Sequence, residues 1–138
     1  MTADAVVAIL EAELAAGAAL AETLEGQRVA LIERDLKGLD ELTERLQQQS
    51  AHFHLVLQSR EQALAAAGPL GDRAAALLRG AKRVEARVIG LAQLNNELLA
   101  DRLARVNAVL AALLPEAAAG YSSAGEVRRS GGALARSA

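Results

Sequence analysis

Proline occupies only two of the 138 positions, Pro69 and Pro115, and the long interval between them carries one continuous helical pattern. Leu77, Ala81, Val84, Val88, Leu91, Asn95 and Leu98 recur at alternating three- and four-residue steps, which places them along one helix face. The stripe then drifts to Leu99, Leu103, Val106, Leu110 and Leu113, as it does when a 3.6-residue helix outlasts a 3.5-residue seam. Asp72 is placed to cap this helix and Pro115 to close it. Over residues 72–114 it would be on the order of 65 Å long, at about 1.5 Å per residue.

The rest of the chain follows the same grammar. Alanine and leucine, both strong helix formers, dominate, whereas the chain has one Tyr, one Phe and no Trp, so a sheet is disfavoured. A first helix over about 3–34 is marked by Val7, Leu10, Leu14, Gly17, Ala21, Leu24, Arg28 and Leu31. Gly38 then offers a stop, with Asp35 or Asp40 as cap for a second helix over about 39–67. That helix carries Leu39, Leu42, Leu46, Phe53, Leu57 and Leu64. A turn at residues 67–71, Ala-Gly-Pro-Leu-Gly, separates it from the third.

Beyond residue 115 the composition shifts to glycine and serine with the single Leu134, too little apolar surface to order a segment. The expected architecture is therefore all-α: an antiparallel three-helix bundle, or long helical hairpin, over 1–115, with an extended third helix and a disordered tail over 116–138. Charge supports the layout. Asp4, Glu11, Glu13, Glu22 and Glu25 make the first helix acidic, and Arg73, Arg79, Lys82, Arg83 and Arg87 make the start of the third basic. An up-down-up bundle sets these segments side by side; solvation of each face by itself is the alternative.

Several function classes drop out. A net charge of −2 gives no electrostatic case for nucleic acid. Charges interrupt every apolar run well short of the roughly 18 residues a membrane span needs, which argues against stable membrane insertion. Acidic residues stand where a secretory signal would be basic, so a cytoplasmic location is expected. With no cysteine, thiol catalysis and Cys-based zinc sites are out. His52 and His54, two apart on a helix, point away from each other and cannot share a metal. No HExxH, phosphate loop or nucleophile elbow is present, so neither an enzyme nor a cofactor is expected.

The informative residues are apolar. From Leu91 to Leu114 the third helix has leucine or valine on nearly two faces, more than a thin bundle can cover, and such a patch marks a partner site. Leu99, Leu103, Val106, Leu110 and Leu113 form its row; the alternative occupant is a second copy of the chain, giving a homo-oligomeric scaffold. Asn95, the one polar residue on the seam, has two readings: an amide that fixes register or bonds a neighbouring carbonyl, or an anchor for a bound segment. Tyr121, alone in a polar stretch, is either incidental or a short docking motif.

Taken together, these features resemble the FlgN family of flagellar type III export chaperones. The resemblance lies in the run Leu91-Ala-Gln-Leu-Asn95-Asn-Glu-Leu98-Leu99, in the tail Tyr121-Ser-Ser-Ala-Gly125, and in Leu24-Glu25 followed by Ala30-Leu31 and Asp35. It implies a cytoplasmic chaperone that holds the C-terminal helical segments of hook-filament junction proteins and prevents their premature assembly. Delivery to the cytoplasmic domain of the export gate would follow. Asn95, Leu99, Leu103, Val106, Leu110 and Leu113 would then bind the client, in the helix-in-groove manner, and Tyr121 would dock at the gate.

Overall fold

The structure, a computed structural model, describes residues 2–113. Three helices follow in order, α1 (Ala3–Glu33), α2 (Leu36–Ala66) and α3 (Asp72–Leu113), with no strand among the described residues. The expected tail lies outside the described residues. The chain divides into two units, Met1–Asn96 and Glu97–Ala138.

The first unit is an up-down-up bundle. Arg60 in the second half of α2 reaches Glu13 in the first half of α1, so these helices are antiparallel. Arg73 meets Glu11 and Arg87 meets Glu25, so α1 and the start of α3 run parallel. Those two pairs join acidic α1 to basic α3, as an adjacent arrangement of the charges requires. All four side chains are at least half exposed, so each bridge contributes at most about 1 kcal/mol.

The connections differ from the sequence expectation in detail. α1 starts from Thr2, whose hydroxyl accepts from the Ala5 N–H at 3.2 Å. It ends where Arg34 turns left-handed, at φ 61° and ψ 38°. Asp35 then caps α2 at once, its Oδ1 accepting from the Gly38 N–H at 3.0 Å. Gly38 therefore lies inside the first turn of α2 instead of stopping α1, because a side-chain cap three residues earlier already satisfies its N–H. At the other end, the Gly71 carbonyl accepts from the Ala75 N–H at 2.9 Å, and Asp72 is the first helical residue, not the cap. Its carboxylate still favours the positive helix terminus.

The buried seam of α3 is Ala74, Ala81, Val88 and Asn95, a strict seven-residue repeat, flanked by half-buried Leu77, Val84 and Leu91. On α1 the seam is Val6, Leu10, Glu13, Gly17, Leu20, Leu24, Gln27 and Leu31. Leu10, Gly17, Ala21, Leu24 and Leu31 fall where the apolar pattern put them, with Leu20 buried beside Ala21. The other positions shift by one: Val6, Glu13 and Gln27 are interior, while Val7 and Leu14 are half-buried and Arg28 is exposed. Hydropathy could not register this, because two of the interior positions are polar.

The core falls into two clusters. One joins Val6 and Leu10 to Ala63, Ala74 and Ala81; the other joins Leu20, Ala21 and Leu24 to Phe53 and Val88. α1 supplies the large side chains, each stabilising by about 1.5–3 kcal/mol when fully buried. Between the clusters, Gly17 lets α1 approach both neighbours: a Cβ there would run into Val84 and lie 3.2 Å from the Phe53 ring.

The candidate client-binding face

The second unit begins with helical residues 97–113, the last part of α3. Leu99, Leu103, Val106, Val109 and Leu113 are all exposed, from 43% at Leu99 to 72% at Leu113, and Leu110 is half-buried. Leu99, Leu103, Val106, Leu110 and Leu113 step by four, three, four and three, so they share one face of a helix. From Leu99 to Leu113 the row runs roughly 21 Å, at about 1.5 Å per residue. Asp101 and Arg105, one turn apart, pair at 3.0 Å on the charged side of the same stretch. The result is an exposed apolar row with the charged pair on the opposite side of the helix, a form that receives another amphipathic helix.

The other predicted site residues are placed differently. Asn95 is 1% exposed and lies inside the first unit. Its amide nitrogen donates to the Leu24 carbonyl at 2.9 Å and to Gln27 Oε1 at 2.8 Å. The amide thus bonds a neighbouring carbonyl within the first unit, whereas the leucine row belongs to the second. Its Oδ1 is buried with no hydrogen-bond partner. Tyr121 lies outside the described residues.

Val109, one of the leucines and valines that crowd this end of α3, is as exposed as the row itself. One feature escaped the sequence reading: Val29, Ile32 and Leu36, at three- and four-residue steps, are exposed on either side of the α1–α2 turn.

Burial pushes the Glu13 carboxyl above the ordinary carboxylate value; the Arg60 guanidinium opposes this and Glu85 adds to it. Among the described residues no three His, Asp or Glu side chains come together to hold a metal ion, and no helix is long and apolar enough to cross a membrane. His52 and His54 are exposed, and His54 contacts only Gln58, at 3.3 Å.

Fold and face together define a class: a small helical bundle whose third helix ends in an uncovered apolar strip. The chain matches the model of the FlgN protein family over residues 1–129 and belongs to that family of flagellar export chaperones, which bind flagellar hook-associated proteins and are not an enzyme family. No curated protein and no solved structure matches it.

Proposed function

We propose that this chaperone holds the C-terminal helical segments of hook-filament junction proteins on the strip formed by Leu99, Leu103, Val106, Leu110 and Leu113. Holding keeps the client's assembly surface covered in the cytoplasm until export. Tyr121, at the position of the family's tail tyrosine, docks the loaded chaperone on the cytoplasmic domain of the export gate. The observation that supports the reading is the row in which Leu99, Leu103, Val106 and Leu113 are 43–72% exposed, in a family that binds flagellar hook-associated proteins. Water-exposed leucine at this density lowers its free energy by burial against an apolar partner face.

Leu103→Asp tests holding. The substitution sits on an exposed position, so helicity should stay unchanged while affinity for a purified hook-filament junction protein falls at least tenfold. Unchanged affinity would remove the strip from the client site. Tyr121→Ala tests delivery: client affinity should hold while binding to the isolated gate domain weakens. Light scattering of the free chain distinguishes a second copy as the occupant, which would give a defined oligomer that Leu103→Asp dissolves.

A further inference from the structure

We propose that Asn95 is a positioning residue that locks α3 into a single register along α1. The need for a lock follows from the seven-residue repeats of α3. Its buried seam, Ala74, Ala81, Val88 and Asn95, is poor in large apolar groups. One stripe over, Leu77, Val84 and Leu91 repeat at the same interval and are themselves half-buried. A slide of α3 by three or four residues would exchange one stripe for the other, and the incoming stripe is the more apolar. Hydrophobic burial alone therefore leaves two alignments close in free energy, since period-seven patterns specify a face but not an axial position.

Asn95 breaks the tie. In the observed register its nitrogen has two acceptors, Leu24 O and Gln27 Oε1, both supplied by α1. In a slid register the amide leaves these acceptors, Gln27 loses its donor, and a leucine faces a buried polar side chain. Unpaired buried amides are costly, so the alternative is disfavoured although it buries more hydrocarbon. The orphaned Asn95 Oδ1 fits this reading: the residue is retained for the position it imposes and not for a complete set of hydrogen bonds. Gly17 sets the same alignment from the other side of the seam, because Val84 of α3 fills the notch it leaves, beside the Phe53 ring of α2.

The test uses the full chain, which has no cysteine of its own. Spin labels at Ala8→Cys and Ala86→Cys, both exposed, report the distance between α1 and α3 across different levels of the bundle. The otherwise wild-type chain should give one narrow distance distribution. Asn95→Leu should add a second population displaced by several ångströms, since three or four residues of slide amount to roughly 5 Å. Gln27→Leu/Asn95→Leu, which leaves no orphaned amide, should keep both populations and melt above the wild type. A single unshifted distribution in both leucine variants would overturn the proposal. So would loss of helicity in the double variant, because a residue kept only for packing is expected to behave that way.

Discussion

Arg60 of α2 grips both carboxylate oxygens of Glu13 on α1, at 3.0 and 3.3 Å, in a layer where the Glu13 side chain is fully buried. Glu85 of α3 stands 3.7 Å from the same guanidinium, so each helix contributes one charge to the layer. The buried Glu13–Arg60 pair, with Glu85 partly exposed beside it, sets desolvation against incomplete pairing.

Removing the cation alone should therefore be severe. Arg60→Leu leaves Glu13 buried without its partner, and urea unfolding should show a loss of about 3 kcal/mol or more. Glu13→Leu/Arg60→Leu should recover most or all of that loss, because no unpaired charge stays inside.

The pH dependence has a definite sign. Folding raises the Glu13 carboxyl from its ordinary 4.5, so in the window just above that value the native state holds a proton the unfolded chain has released. The contribution of Glu13 to stability is thus fully present below pH 4.5 and declines as pH rises through the folded value. Unfolding of the wild type and of Glu13→Gln, followed side by side upward from that pH, should show the wild type losing ground. A wild type that gains on the variant would mean Arg60 outweighs burial.

Gly17→Ala brings two effects into opposition. Alanine improves helix propensity by about 1 kcal/mol. The added Cβ collides with Val84, which overpacks the seam at a cost of roughly 1–3 kcal/mol. The net change should be destabilising. Gly17→Ala/Val84→Ala should melt higher than Gly17→Ala if the collision is the cause.

Arg34 is the only residue other than glycine with positive φ among the described residues, and it is exposed. A left-handed L-residue costs roughly 1–2 kcal/mol that glycine does not. Arg34→Gly should raise stability by up to about 1 kcal/mol, visible as a shift in the urea midpoint with an unchanged slope.

Much of this bundle could be read from leucine spacing, because the α3 repeat and the 67–71 turn follow directly from hydropathy and from glycine and proline chemistry. What escaped was set by partners in space. Glu13 and Gln27 look like surface residues until Arg60 and Asn95 are placed beside them, and no one-dimensional pattern contains those pairings. Asn95 shows the same limit: its position on the seam was legible, but its bond to the Leu24 carbonyl depended on how α1 and α3 pack. The leucine row was legible because three- and four-residue spacing survives without a partner.

The helical segment 97–113 carries Ala100, Ala104, Ala108, Ala111 and Ala112 among its exposed residues. An isolated helix of this length is marginal in water, so whatever binds the leucine row also meets the free energy of keeping the segment helical. Alanine holds that burden low. Affinity for a partner should consequently respond to substitutions that never touch it: glycine at Ala104 or Ala108 would weaken binding by about 1 kcal/mol per site through the coil–helix equilibrium alone. The alanines make the segment a pre-shaped receptor whose tightness is set as much by its backbone as by its leucines.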